Sequence, residues 1–215
     1  MSLKKKIVGI YKKFLAFLIV CVSRRVECMI LKFKYSECSI FNKGSGSLNK
    51  YLIKIDNRMY FLKKSNFLIE HRQNVINSLK PDQTIPLNRR FMHIEHVIQN
   101  NLLGEFNLCI KATKDYVMYK YIEGTESLDI SNFNKEAIVK LIETIRELHK
   151  KGYHCRDFAC RNIIVKNNKY YLIDIGGIQP LQDIKDGEKD FEKLILSAKD
   201  KDLKAKISQL VRRLK

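Results

Sequence analysis

LHKKGYHCRDFACRNIIVKNNKYYLIDIGG, residues 148–177, is the stretch that decides how this chain folds. Two short apolar runs, Ile163 to Val165 and Tyr170 to Ile173, flank the polar turn Lys166-Asn167-Asn168-Lys169. Apolar runs of that length around a polar turn predict a β-hairpin. Asp157 and Asn162 precede the first strand, and Asp174 follows the second. A hairpin returns the end of its second strand beside the start of its first, so Asn162 and Asp174 can converge on one oxygen-ligated metal ion with Asp157 close by. A carboxylate to take a hydroxyl proton, with an Asn and an Asp to hold Mg²⁺ on phosphates, is what phosphoryl transfer requires.

The same residues resemble the protein-kinase-like superfamily. Its catalytic loop places an Asn five residues after the catalytic Asp, the interval from Asp157 to Asn162. Asp174-Ile175-Gly176 stands where that superfamily has Asp-Phe-Gly, and Leu148-His149 with Gly152 stands where a helix closes ahead of the loop. Arg156 matches the Arg of its His-Arg-Asp triplet, but the His position is Cys155, and His154 falls one place early, so no catalytic role is carried to His154. Phe158-Ala159-Cys160-Arg161-Asn162 resembles the variant with a basic residue just before the Asn, which implies that Arg161 offsets phosphate charge. The alternative is a polar turn with incidental carboxylates, and three independent spacings favour the chemical reading.

With 215 residues the chain can bury one sizeable core, divisible into two lobes but not into two domains of ordinary size. A formal charge of +18 attracts polyanions such as anionic lipid, phosphorylated glycan or nucleic acid, although a generally solvated basic surface accounts for it equally. Six cysteines show no CxxC pair, which argues for reduced thiols and against zinc or disulfide frameworks.

Near the start, Lys4-Lys5-Lys6 and Lys12-Lys13 flank apolar positions, and Phe14 to Val22 is an unbroken apolar run. The run is shorter than the ~20 residues that a bilayer span needs, and no Ala-x-Ala cleavage site follows it. Residues 1–27 are therefore expected to form a basic apolar helix, lying on an anionic membrane surface or packed on the body of the protein.

Met29 to Phe33, Lys50 to Ile55 and Met59 to Lys63 read as strands, the last two joined by an Asp56-Asn57 turn. Gly44 and Gly46 lie before the second, where a kinase carries its phosphate-covering glycine loop, so the resemblance gives them nucleotide contact. It likewise gives Lys63 the grip on the α- and β-phosphates. Lys64 is the rival, since alternation sends the two to opposite faces. For the carboxylate that holds this Lys, Glu95 is chosen, on a helix expected over Arg89 to Leu103 with the apolar stripe Phe91, Ile94, Val97, Ile98 and Leu102; Glu70 is the reserve. Residues 66–80 then form an inserted helix.

Leu108 to Ala112 and Tyr116 to Ile122 read as strands, and Ala137, Ile138, Leu141, Ile142, Ile145 and Leu148 as the buried stripe of a helix over 135–151, with a turn or cap from the Ser131-Asn132 region. Beyond Asp174 there is no Ala-Pro-Glu and too little chain for a peptide-binding lobe. The expected fold is α+β and two-lobed, with a β-rich N-lobe over 28–122 and a reduced, mainly helical C-lobe over 123–215. Tyr121-Ile122-Glu123-Gly124, Leu172-Ile173-Asp174 and Lys189-Asp190-Phe191-Glu192 resemble the small kinases of lipopolysaccharide core biosynthesis. That resemblance implies ATP and Mg²⁺ as cofactors and a heptose or Kdo hydroxyl on a glycolipid as acceptor. It also implies peripheral localisation on the cytoplasmic face of the membrane, with nucleic acid disfavoured as a partner. Asp157 would take the proton, Asn162 and Asp174 bind the metal, and Lys63 with Glu95 grip the nucleotide. Two other classes compete: a compact atypical protein kinase or ATPase linked to tRNA modification, and a nucleotide-binding pseudokinase module.

Overall fold

The computed structural model describes residues 22, 24–41, 48–65 and 87–214. Gly44, Gly46, Glu70, the helix expected over 66–80 and nearly all of the expected helix over 1–27 lie outside the described residues. The chain divides into two compact units, Met1–Leu87 with Asp115–Met118, and Asn88–Lys114 with Tyr119–Lys215. This partition differs from a boundary after Ile122 in that the helix beginning at Leu87 clusters with the C-terminal residues. The rings of His93 and His96 on that helix lie 6.2 and 5.6 Å from the ring of Tyr153.

The first unit is built on an antiparallel meander. Strands β1 (Glu37–Ile40), β2 (Leu48–Ile55) and β3 (Arg58–Ser65) pair in sequence, with the strand that contains Tyr116–Met118 next to β3. The β2–β3 connection is the two-residue Asp56-Asn57 turn, both residues at positive φ, 48° and 61°. That geometry matches the right-handed twist of the flanking strands, and Asp and Asn tolerate it better than most residues.

Met29 to Phe33, expected as a strand, is helical instead: residues 24–34 form helix α1. The burial period decides it. Glu27, Cys28 and Leu31 are buried while Met29, Ile30 and Phe33 are exposed, which is helical spacing and not alternation. Cys28 and Leu31 join Cys38, Tyr51, Ile53, Leu62 and Met118 in one core. The strand at the start of the sheet is the more polar β1, which alone carries little β signal and forms by pairing with β2, from Glu37 opposite Lys54 to Ile40 opposite Tyr51. The thiols of Cys28 and Cys38 lie 3.3 Å apart, hydrogen-bonded to each other and not joined in a disulfide. Burial, together with the neighbouring Cys28 thiol, pushes Cys38 up to about 12, so it stays protonated and unreactive at neutral pH.

Apart from Leu87 and Tyr116–Met118, which cluster with the first unit, helix α2 (Leu87–Gln99), strands β4 (Cys109–Ala112), β5 (Tyr116–Lys120) and β6 (Glu126–Ser127), then helix α3 (Lys135–Lys150), belong to the second unit. Strands β7 (Tyr153–His154), β8 (Ile163–Lys166), β9 (Lys169–Leu172) and β10 (Gln179–Pro180) follow, and helices α4 (Ile184–Ser197) and α5 (Lys201–Arg213) close it. Helix α3 buries Ile138, Leu141, Ile142, Ile145 and Leu148, the stripe expected of it. Its cap is Asn134, whose side chain accepts from the Ala137 amide; Asn132 belongs instead to a preceding turn capped by Asp129. The β8–β9 hairpin turns through Asn167-Asn168, again with both residues at positive φ. The fold class is α+β, β-rich at the N-terminal end and helical at the C-terminal end.

Candidate active site

The open end of the β8–β9 hairpin sets the site. Ile163 pairs with Leu172, and one step further the Ile173 amide donates to the Asn162 carbonyl at 2.8 Å. Asp174 is therefore the next residue after the rung that Asn162 closes. It adopts the left-handed conformation, φ 58° and ψ 38°, which turns the chain out of the strand into a short helical turn at Ile175–Gly177. Asp is among the few residues that reach this region without large strain.

Asn162 is buried, and its Nδ2 donates to the Asp157 carbonyl at 2.8 Å and to Asp157 Oδ2 at 3.1 Å. An amide that donates from Nδ2 leaves Oδ1 as the atom able to ligate a cation. Asp157 is half-buried, and one guanidinium nitrogen of Arg161 donates to both its carboxylate oxygens at 2.7 Å. Lys193, from α4, brings a second cation to 3.6 Å from Oδ1. Sequence reasoning passed over Lys193, because nothing in a helix-surface lysine distinguishes it until α4 is placed beside the loop.

The fit of this donor set to Mg²⁺ follows from chemistry. Asn162 and Asp174 offer hard oxygen ligands, and the described residues contain no group of three His, Cys, Asp or Glu side chains arranged around one ion. Mg²⁺ suits such a site, since it is commonly held by one or two protein oxygens together with phosphates and water.

The loop ahead of Asp157 is anchored from behind by a residue whose role the sequence did not reveal. Asp190, fully buried in α4, accepts from the Cys155 amide at 2.7 Å and from His149 Nε2 at 2.9 Å, both on Oδ2. The signal existed: Asp190 falls on the stripe Gly187, Asp190, Phe191, Leu194, where an apolar residue is expected. Gly187 allows the close approach, because a Cβ there would lie 2.9 Å from His149 Nδ1.

His154, on β7, is buried and contacts Gln179 Nε2 at 2.9 Å. With that amide donating, the ring proton sits on Nδ1, 4.0 Å from Asp190 Oδ1. Burial lowers the His154 pKa and outweighs the opposing pull of Asp190; burial, with His96 as the lesser cause, lowers that of His93. The unfolded chain takes up these protons as pH falls through the ordinary histidine value of 6.5, and the folded chain only lower. Stability is therefore expected to fall as the pH drops below that value. Thermal melts between about pH 7.5 and pH 5.5 check this, and His154→Gln should flatten part of the slope.

Glycine geometry yields a sharper expectation. A Cβ on Gly177 would lie 2.6 Å from the Cys155 carbonyl oxygen and 3.6 Å from the Asp157 amide, whereas one on Gly176 would meet only Asp174 Oδ1 at 3.7 Å. Gly177→Ala must push the turn away from the backbone that carries Asp157, and Gly176→Ala need move nothing. We expect at least about a tenfold loss of activity for the first and little for the second, measured side by side on folded protein.

Within the first unit, Lys63 and Lys64 lie on opposite faces of β3. Lys64 Nζ donates to Glu27 Oε1 at 2.6 Å, within a buried network in which Glu27 Oε2 accepts from Asn49 Nδ2 and the Tyr51 hydroxyl. Lys63 is 5% exposed, with its ammonium 5.9 Å from the centroid of Phe61. Lys64 thus has a structural partner that the sequence did not reveal, because Glu27 is 37 residues away and meets it only once α1 packs on the sheet. Glu95 is half-buried on α2 in the second unit.

Residues 88–210 match the family model described as lipopolysaccharide core biosynthesis protein (WaaY). Among solved structures, the chain is similar to one described as WaaP in complex with acyl carrier protein, at 11% identity and a TM-score of 0.50, covering 80% of this chain and 77% of that one. The likeness extends to the kinase-like fold.

Proposed function

Since this chain belongs to the lipopolysaccharide core biosynthesis protein (WaaY) family, whose members are kinase-like phosphotransferases, we propose that it transfers the γ-phosphate of ATP to a hydroxyl of a heptose or Kdo sugar on a core glycolipid at the cytoplasmic membrane face. The observation that supports this best is the meeting of Asp157 and Asn162 at the hairpin end from which Asp174 emerges. Asp157 orients the acceptor hydroxyl and takes its proton as the oxygen bonds to phosphorus and ADP leaves. Asn162 fixes the Asp157 side chain through Nδ2 and, with Asp174, would hold Mg²⁺, which when bound neutralises charge on the phosphate oxygens. Arg161 and Lys193 provide positive charge beside the transferred group. Lys63 is assigned to the α- and β-phosphates, with Glu95 as its carboxylate and Gly44 and Gly46 over the nucleotide.

The test is direct. Purified protein with radiolabelled ATP and Mg²⁺ should label core glycolipid extracted from cells lacking the gene, and ³¹P analysis of that glycolipid should lack one phosphate that complementation restores. Nucleotide binding without transfer to any glycan would point to the pseudokinase alternative, and stimulation by tRNA to the atypical ATPase.

A further inference from the structure

Helix α1 has two faces. At about 100° per residue, Arg24, Glu27, Cys28 and Leu31 fall on one side, where they meet the sheet of the first unit through the Glu27 network and the Cys28–Leu31 core. Val22, Val26, Met29, Ile30 and Phe33 fall on the opposite side at spacings of four, three, one and three. All five are exposed, from 51% for Val26 to 94% for Phe33. Four large apolar side chains aligned along two turns of α1, with Val22 just ahead of them, are not the scattered exposed residues of an ordinary surface. Cations border the stripe on both sides: Arg25 and Lys32 along one edge, Lys34 along the other, all exposed.

We propose that this face of α1 docks on an anionic lipid bilayer, with Val22, Val26, Met29, Ile30 and Phe33 in the interfacial region and Arg25, Lys32 and Lys34 on the headgroups. Charge complementarity supports it, since an apolar stripe edged by lysine and arginine is the pattern of helices that lie in a membrane interface. The chain leading into it supports it too, because Phe14 to Val22 is continuously apolar and is preceded by Lys4-Lys5-Lys6 and Lys12-Lys13. No helix among the described residues is long and apolar enough to cross a membrane. The proposal rests on the glycolipid-kinase reading in one respect: docking holds the chain at the bilayer in which its acceptor is itself embedded.

Full-length protein is mixed with vesicles containing phosphatidylglycerol and with vesicles of phosphatidylcholine alone, and floated. Wild type should bind the first and not the second at moderate salt. The triple variant Val26→Ser/Ile30→Ser/Phe33→Ser should melt like wild type, because none of its sites reaches the core, and should partition at least about tenfold less. Arg25→Gln/Lys32→Gln/Lys34→Gln should lose binding in a salt-dependent way. Equal flotation of wild type and the apolar triple variant overturns the proposal, as does wild-type protein that ignores anionic vesicles, or a stripe occupied instead by a soluble acidic protein. Transfer to a delipidated core oligosaccharide separates the two readings. Lost vesicle binding with retained transfer defeats docking alone, and retained binding with no transfer to any glycan defeats the kinase reading alone.

Discussion

Asp157→Ala is expected to lower phosphate transfer by about 10²- to 10⁴-fold, the range associated with removing a positioned general base, while the protein stays folded. The second half of that expectation comes from the surroundings of Asp157. Its side chain is 35% exposed and its ionic partner Arg161 is 60% exposed, so the pair is screened by solvent and contributes ~0–1 kcal/mol. Asn162 keeps its bond to the backbone carbonyl of residue 157, which alanine retains. The measurement is turnover with saturating ATP and acceptor alongside a thermal melt. Asp174→Ala provides the contrast, because its loss should appear first as weakened Mg²⁺-dependent nucleotide binding. An Asp157→Ala protein with unchanged turnover would remove the base assignment, whatever its nucleotide affinity.

Asp190→Ala should instead damage the fold. The carboxylate is completely buried and accepts two hydrogen bonds on one oxygen, from a backbone amide and a histidine ring. Alanine leaves the Cys155 amide without its partner and opens space between α4 and His149. Breaking a buried charged network in this way costs roughly 3–5 kcal/mol, a large part of the 5–15 kcal/mol typical of a whole domain. For a chain of this size that corresponds to a melting temperature lower by roughly 10 °C. Asp190→Asn, whose amide oxygen can still accept from Cys155, should lose less. Because Cys155 is two residues from Asp157, any folded Asp190→Ala protein is also expected to turn over slowly. A melt within a degree or two of wild type would show that the loop is held elsewhere.

The difference between these residues explains what could be read from the chain alone. Asp157, Asn162 and Asp174 are legible because a hairpin is a local structure: a polar turn, two short apolar runs and fixed intervals bring their neighbourhoods together with no knowledge of anything distant. The stripe of α3 and the Asp56-Asn57 turn are legible for the same reason. Asp190 and Lys193 are distant from Asp157 in sequence and reach its loop only after α4 packs against α3 and β7. Nothing in the sequence sets Gly177 apart from Gly176; what distinguishes it is the Cys155 carbonyl, 2.6 Å from where its Cβ would be.

Sequence by itself determined the fold class, the β8–β9 hairpin, the Asp56-Asn57 turn between β2 and β3, and the chemistry that three polar residues at the open end of the β8–β9 hairpin can support. Only the tertiary structure decided that Met29 to Phe33 is helical, that Lys64 is engaged by Glu27, and that a buried carboxylate from α4 holds the loop. The physical reason is range: hairpin spacing is set by covalent geometry over a few residues. A five-residue apolar window fits strand and helix alike until the core it packs against selects one face.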